Sequence, residues 1–84
     1  REQINQVDDE LLTLLGQRMK LSDRIGQYKK DNNITILQTN RWNDILERAF
    51  QKGEALGLTK EFIIKYFDAV HMESIQHQNK VMNS

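Results

Sequence analysis

REQINQVDDELLTLLGQRMKLSDRIGQYKK, residues 1–30, is the stretch that decides the fold. Its apolar side chains recur at steps of three and four residues, the spacing that puts them on one side of an α-helix. These residues are Ile4, Val7, Leu11, Leu14, Leu15, Ile25 and Tyr28. No proline interrupts the pattern. The spacing therefore predicts one long amphipathic helix over residues 1–31.

Two shorter helices are predicted to follow the long one. Thr39 or Asn40 is placed to cap a second helix over about residues 39–53, since short polar side chains favour that position. Thr59 is placed to cap a third helix over about residues 59–81. The predicted buried side of the third helix is formed by Phe62, Ile63, Tyr66, Phe67, Val70 and Ile75. We therefore expect one all-α domain with one long and two shorter helices.

The first predicted helix is too long for a chain of 84 residues. About thirty residues at roughly 1.5 Å each form a rod near 45 Å, longer than a compact domain of this size is wide. The two shorter helices cannot cover its whole apolar stripe, and no cysteine is present to stabilise the chain by disulfides. A second copy of the chain can cover the stripe. We therefore expect an intertwined homodimer with two long helices side by side.

Composition narrows the function classes. Lys plus Arg equals Asp plus Glu at 12 each, so no basic excess indicates a nucleic-acid partner. No apolar run spans a membrane and no signal-peptide pattern opens the chain, so we expect a cytoplasmic protein without a membrane partner. Only His71 and His77 are available as histidine or cysteine metal ligands, and both are expected on a solvated face, so no metal site and no cofactor are expected. The first residue is Arg1 and not methionine, as in a trimmed sequence or a domain cut from a longer protein.

Polar side chains lie beside the apolar stripes. Arg18, Ser22 and Lys29 step by four and seven residues, so they share one side of the first helix. Two cations on one line favour an anion site, although long basic side chains also reach water from the edge of an apolar stripe. Ser74 and Gln78 continue the buried side of the third helix, where polar groups need hydrogen-bond partners. A helix end that simply becomes polar is the alternative interpretation.

Arg1 adds a geometric argument for a shared site. It precedes Arg18 by 17 residues, or roughly 25 Å along one helix, so the two cannot meet on one small ligand within one chain. In an antiparallel pair of long helices, Arg1 of one copy approaches the pocket of the other. The sequence therefore predicts a small dianion as the ligand, bound between two chains. Arg41 is equally compatible with a surface position in the first turn of the second helix.

Five parts of the chain together resemble a known family. They are Arg1–Asp8 (REQINQVD), Leu11–Arg18 (LLTLLGQR), Ile25–Lys29 (IGQYK), Arg41, and Glu73–Gln78 (ESIQHQ). Each segment is short, but their order and spacing resemble the all-helical class of chorismate mutase over essentially the whole chain. The resemblance implies three helices per chain, with two chains interlaced around two identical sites. It also implies the rearrangement of chorismate to prephenate in phenylalanine and tyrosine biosynthesis, without a cofactor.

The same resemblance implies roles for the catalytic residues. Arg18 is expected to hold one carboxylate of the substrate, and Arg1 of the partner subunit the other. Lys29 and Gln78 are expected to donate hydrogen bonds to the ether oxygen. Planar guanidinium groups suit carboxylates because they bind them bidentately. The glutamine amide donates without needing a proton, whereas a glutamate in its place would have to be protonated.

The remaining lining residues contain a departure from the family pattern. Arg41 and Ser74 are expected to complete the polar lining, and the main chain near Gln38 to contact the ring hydroxyl. Family mutases usually carry a glutamate directly after the matching arginine, where it binds that hydroxyl, but Trp42 stands here. Gln38 likewise replaces a common aspartate. These differences leave hydroxyl recognition without an assigned side chain.

Two other functions remain open at this point. The isochorismate-pyruvate lyases share the fold and also lack this glutamate. A non-catalytic helical dimerisation or regulatory module would explain the long helix, but not the placement of Arg18, Lys29, Ser74 and Gln78. Mutase domains of this class often occur fused to other aromatic-pathway enzymes, so a fused partner domain is also expected.

Overall fold

The computed structural model describes residues 1–36 and 38–84, which form three α-helices and no strand. Helix α1 spans Glu2–Asp31, α2 spans Thr39–Ala55 and α3 spans Lys60–Met82. The prediction of an all-α chain with one long and two shorter helices is confirmed. Within the described ranges, no helix has the length and apolar character needed to cross a membrane.

Local hydrogen bonds end the first two helices. After α1, the amide of Ile34 donates to the carbonyl of Lys29 over 2.8 Å, and Asn33 adopts a φ of 56°. Asparagine tolerates this left-handed conformation better than most residues, and the hydrogen bond is that of a Schellman turn. Gly57, at a φ of 81°, ends α2 in the same way. The chain therefore turns at short polar or glycine residues without any proline.

The two shorter helices begin differently. The side chain of Thr59 accepts a hydrogen bond from the amide of Phe62 over 3.1 Å, so Thr59 caps α3 as predicted. The prediction of Thr39 or Asn40 as the cap of α2 was wrong, because the capping position is Gln38. Gln38 is extended there and its side chain makes no capping hydrogen bond. The chain conformation before α2, and not a capping side chain, decides where this helix begins.

Helix α3 is the central element, because it packs against both other helices. Within the described ranges, no Cα atom of α1 lies within 8 Å of a Cα atom of α2. The pairs Ser22–Ser74 and Lys30–Ser84 advance together along the chain, so the C-terminal parts of α1 and α3 run parallel. Gly26 lies between them, where an added Cβ would be 2.9 Å from the Cα of Gln78. The absence of a side chain at Gly26 therefore allows α1 and α3 to approach closely.

The interior of the single chain is small. Among the described residues, Ile63 and Val70 are the buried apolar ones. All residues from 1 to 14 are exposed, and the radius of gyration of 14.7 Å exceeds the value of about 12 Å expected for a compact chain of this length. The large apolar side chains exposed on α1 are Ile4, Val7, Leu11, Leu12, Leu14, Leu21, Ile25 and Tyr28. The predicted apolar stripe of α1 thus exists but is not covered by the rest of this chain.

The predicted buried side of α3 is only partly buried. Ile63 and Val70 are buried, but Phe62 is 50 % exposed, so its prediction as a buried residue was wrong. The Phe62 ring stacks on that of Tyr66 with 5.8 Å between centroids. Phe62, like the stripe of α1, is therefore a large apolar side chain left exposed in the single chain.

Candidate functional site

A pocket of about 310 Å³ is lined by residues of all three helices. It contains six of the residues predicted from the sequence, whereas Arg1 is exposed at the start of α1 and does not line it. The six residues are Arg18, Lys29, Gln38, Arg41, Ser74 and Gln78. Among the described residues, no aspartate or glutamate lines this pocket. Its lining is therefore cationic and neutral polar, with apolar side chains between.

Lys29 and Gln78 form a hydrogen-bonded pair in the pocket. The Lys29 Nζ donates to the Oε1 of Gln78 over 2.9 Å and to the carbonyl of Ile36 over 2.8 Å. An ammonium has three donors, so one remains for a ligand. Because the Gln78 oxygen faces Lys29, its Nε2 is the amide atom left for other partners, and it donates to the Ser74 hydroxyl over 3.4 Å. Lys29 thus orients the second donor of the site.

A serine pair joins the two helices that carry these donors. The hydroxyls of Ser22 and Ser74 are both buried and lie 2.5 Å apart. Among the described residues that are not exposed, no buried side-chain nitrogen or oxygen lacks a hydrogen-bond partner. The expectation that Ser74 and Gln78 would need partners is therefore fulfilled inside the chain. The polar groups of the pocket are held in place before a ligand arrives.

The cations of the pocket are incompletely solvated. Burial lowers the pKa of the Arg18 guanidinium, while Tyr66 raises it and the neighbouring charge of Arg41 lowers it. Burial also lowers the pKa of the Lys29 ammonium. Both shifts mean that the charged forms have lost solvation that is not replaced within the chain. An anion in the pocket would replace it, so the electrostatics favour an anionic ligand.

His71 was not predicted to be a site residue, because the sequence placed it on a solvated face. The structure places it in the pocket, with its ring stacked on Trp42 at 4.1 Å between centroids and an interplanar angle of 22°. His71, Ser74 and Gln78 follow one another at steps of three and four residues, so they share one face of α3. That spacing was the available signal.

The charge state of His71 follows from its surroundings. Burial lowers the pKa of its imidazole, Asp68 raises it, and the charges of Arg18 and Lys29 lower it. The net direction is downward from an ordinary value of 6.5. The imidazole is therefore predominantly neutral at pH 7, with one nitrogen that donates and one that accepts. Within the described ranges, no protein hydrogen bond engages either nitrogen.

His77 belongs to a separate surface cluster and was also predicted to be solvated. Its Nδ1 lies 2.8 Å from Asp23 and its Nε2 lies 3.3 Å from Glu73. The hydrogen bond to Asp23 raises the pKa of His77, burial lowers it, and the Asp23 charge and Glu73 raise it; the net direction is upward. The cluster links α1 to α3. In the part of the chain that is described, no group of three or more His, Cys, Asp or Glu residues is arranged to hold a metal ion.

The fold and the pocket together define an all-α domain whose pocket is lined, among the described residues, by cationic, neutral polar and apolar side chains. Comparison with known families agrees. The sequence model of the chorismate mutase type II family matches residues 1–79, and the chain belongs to this family. The resemblance stated from the sequence motifs is thereby confirmed.

The chain is similar to several curated proteins. It is 30% identical over 82 residues to a bifunctional chorismate mutase/prephenate dehydratase of Buchnera aphidicola subsp. Acyrthosiphon pisum, covering 98% of this chain and 21% of that protein. It is also 30% identical over 89 residues to the bifunctional chorismate mutase/prephenate dehydratase of Escherichia coli (strain K12). This match covers 96% of this chain and 23% of that protein. The chain thus spans about a fifth of the length of these relatives. A 4-amino-4-deoxychorismate mutase of Streptomyces venezuelae is 25% identical over 83 residues, covering 99% of this chain and 81% of that protein.

Proposed function

We propose that this domain is a chorismate mutase that converts chorismate to prephenate in phenylalanine and tyrosine biosynthesis. The observation that carries the proposal is the convergence of two donors, Lys29 and Gln78, in a pocket with Arg18 and, among the described lining residues, without a carboxylate. Membership of the chorismate mutase type II family supports the same reaction.

The substrate is a dianion, and the proposed binding residues match its two carboxylates. Arg18 binds one carboxylate, and its incomplete solvation in the free pocket favours this exchange of partners. Arg1 of the partner subunit binds the other carboxylate. Arg41, Ser74 and Gln38 line the same pocket and complete the polar contacts. Two bidentate contacts fix the enolpyruvyl arm over the ring, which supplies the orientation that the rearrangement requires.

The chemistry needs electrostatic stabilisation more than proton transfer. One carbon–oxygen bond breaks as one carbon–carbon bond forms, and negative charge develops on the ether oxygen. Lys29 has one donor left after its contacts with Gln78 and Ile36, and Gln78 has one Nε2 hydrogen left after its contact with Ser74. Both donors point at that oxygen in the proposed complex. They are already oriented in the free chain, so little reorganisation is needed as the charge develops.

The homodimer is part of the proposal. A chain with two buried apolar residues among those described, Ile63 and Val70, has little core of its own. The exposed stripe of α1 offers the area that a second α1 would bury. Arg1 lies at the exposed start of the same helix, so an antiparallel partner brings it to the other pocket. Association would therefore both stabilise the chains and complete the two sites.

Two further predictions rest on the relatives and on composition. The two bifunctional relatives named above support the predicted fusion of this domain to another aromatic-pathway enzyme. The cytoplasmic location stays a prediction. Neither prediction affects the chemistry proposed for the pocket.

Trp42 is the reason to test a second reaction, that of an isochorismate-pyruvate lyase. An indole cannot accept a hydrogen bond from the ring hydroxyl, and the isochorismate-pyruvate lyases of this fold also lack the glutamate at this position. The two reactions are distinguished by their products. A purified protein is incubated separately with chorismate and with isochorismate, and prephenate and pyruvate are measured. We expect prephenate from chorismate. Pyruvate from isochorismate alone would indicate the lyase, and no product from either substrate the non-catalytic module.

The assigned role of Lys29 is tested in the same assay. Lys29→Ala should lower kcat by a factor on the order of 10²–10³, since a donor aimed at developing charge is typically worth that much. Lys65→Ala is the matched control, because Lys65 pairs with Glu61 at 3.2 Å on an exposed face, far from the pocket lining. Unchanged turnover in Lys29→Ala would reject the role. A loss of thermal stability that matches the loss of turnover would make Lys29 structural.

A further inference from the structure

We propose, on the basis of the proposed function, that His71 is the specificity-determining residue for the substituent on the substrate ring. Stacked on Trp42, its neutral imidazole accepts a hydrogen bond from a ring hydroxyl. The acid-free pocket around it disfavours a ring ammonium.

His71 lies against Trp42 in the pocket. Trp42 directly follows Arg41, at the position where the family resemblance expects the side chain that binds the ring hydroxyl. The indole has no hydrogen-bond acceptor, but the His71 ring stacks on its face with 4.1 Å between the ring centroids. Both residues line the pocket that contains Lys29 and Gln78. The imidazole that stacks on the indole belongs to α3, so α3 supplies an acceptor beside Trp42.

The hydrogen-bonding groups and charges of the pocket favour a hydroxyl over an ammonium. A neutral imidazole has one acceptor nitrogen, which suits a hydroxyl that donates. A ring ammonium also donates, but it brings a positive charge into a pocket that already holds Arg18, Lys29 and Arg41. Among the described residues, no carboxylate lines the pocket to compensate that charge. The pocket should therefore favour chorismate over its 4-amino counterpart, unlike the pocket of an enzyme named for the amino compound.

Ligand binding tests this inference independently of turnover. A non-reacting bicyclic dicarboxylate that mimics the rearranging substrate is prepared with a hydroxyl, a hydrogen or an ammonium at the ring position. Its Kd is measured by calorimetry for the wild-type protein and for His71→Phe. Phenylalanine keeps an aromatic ring against Trp42 but has no acceptor. Trp42→Phe is the positioning control, because it keeps His71 and a smaller stacking face.

The expected results differ by ligand. In His71→Phe, the hydroxyl ligand should bind about tenfold more weakly, as expected for one lost hydrogen bond, while the hydrogen ligand changes by less than about twofold. In Trp42→Phe, the hydroxyl ligand should lose less than in His71→Phe. The wild-type protein should bind the ammonium ligand at least about tenfold more weakly than the hydroxyl ligand.

Three outcomes would overturn the inference. Equal losses for the hydroxyl and hydrogen ligands would show that His71 only packs, and no loss for either would remove it from the site. An ammonium ligand that binds as tightly as the hydroxyl ligand would reject the charge argument. Turnover of chorismate is measured in parallel. A wild-type protein that binds the hydroxyl ligand through His71 but converts no chorismate would refute the proposed function and leave this inference standing.

Discussion

At the scale of single residues, Gln78 is the group whose role can be tested by one proton. Its Oε1 accepts from Lys29 over 2.9 Å and its Nε2 donates to the Ser74 hydroxyl over 3.4 Å, which leaves one amide hydrogen for a ligand. In Gln78→Glu, a protonated carboxyl can still donate to the ether oxygen, whereas a carboxylate only accepts. Ion pairing with Lys29 lowers the pKa of the new carboxyl and burial raises it.

We therefore expect Gln78→Glu to be active at low pH and to lose turnover as the pH rises, while the wild-type profile stays flat over the same range. The measurement is kcat against pH for both proteins, with circular dichroism at each pH to verify folding. Parallel profiles would show that Gln78 does not touch the reacting oxygen.

His77 predicts a pH dependence of stability with a definite sign. Its pKa is raised in the folded chain, chiefly by the hydrogen bond to Asp23. A raised folded pKa means that the contribution to stability is fully present below the unfolded pKa and is lost as the pH rises through the folded pKa. We expect the free energy of unfolding to fall over that window in the wild-type protein. The fall should be small, because His77 and Asp23 are 32 % and 44 % exposed in their side chains.

The measurement is urea denaturation between about pH 5 and pH 8, the range in which histidine charge changes. His77→Gln is the control, since glutamine keeps a polar contact to Asp23 without titrating. The same pH dependence in both proteins would exclude His77 as its source.

At the scale of elements, the approach of α1 to α3 depends on Gly26. A methyl group there would lie 2.9 Å from the Cα and 3.2 Å from the carbonyl oxygen of Gln78, and backbone atoms cannot move aside as a flexible side chain can. Gly26→Ala should therefore force the helices apart and cost about 1–3 kcal/mol, the usual range for overpacking. It should also lower turnover, because Lys29 and Gln78 sit on the two separated helices.

Gly16→Ala is the matched control on the same helix. Among the residues that the structure describes, none has an atom within 4 Å of a Cβ added at Gly16. Alanine gains about 1 kcal/mol over glycine in a helix interior, so this variant should be more stable than the wild type. Thermal unfolding and kcat are measured for both. Gly26→Ala with the stability and activity of Gly16→Ala would refute the close approach.

The elements also show what the sequence can and cannot predict. The spacing of apolar residues in α1 and the capping chemistry of Thr59 are local, so they could be read from the sequence. The cap of α2 could not, because Gln38 occupies it through the path of the chain and not through a side-chain preference. Trp42 and His71 meet across two helices, and periodicity within one helix reports only a face, not its neighbour. For Phe62, the periodicity likewise predicted a buried face, but it could not show that the side chain is half exposed in the single chain.

At the scale of the whole molecule, the shared site predicts complementation between inactive chains. Arg1→Ala and Arg18→Ala should each be inactive as homodimers. A heterodimer of the two has one site with Arg18 from one chain and Arg1 from the other. After unfolding and refolding an equal mixture, activity should return to about a quarter of the wild-type value, because half of the dimers are mixed and each has one intact site of two.

Sedimentation equilibrium accompanies this experiment. We expect a dimer at micromolar concentration and a thermal midpoint that rises with protein concentration. A folded monomer near 9.9 kDa would refute the intertwined architecture. A stable dimer whose mixed form gains no activity would refute the shared site alone.

The buried polar residues Ser22, Ser74 and Gln78 outnumber the buried apolar residues Ile63 and Val70 among those described. The polar interior limits how the stability of such a domain can be raised. In most proteins, engineers gain robustness by making the interior more apolar, but here the interior includes the proposed substrate pocket. Replacing Ser74 or Gln78 by an apolar residue would raise hydrophobicity where the ligand must be held, so such gains should cost activity. Directed evolution of this domain has its free positions on the exposed faces of the helices, away from the pocket and from the proposed dimer interface.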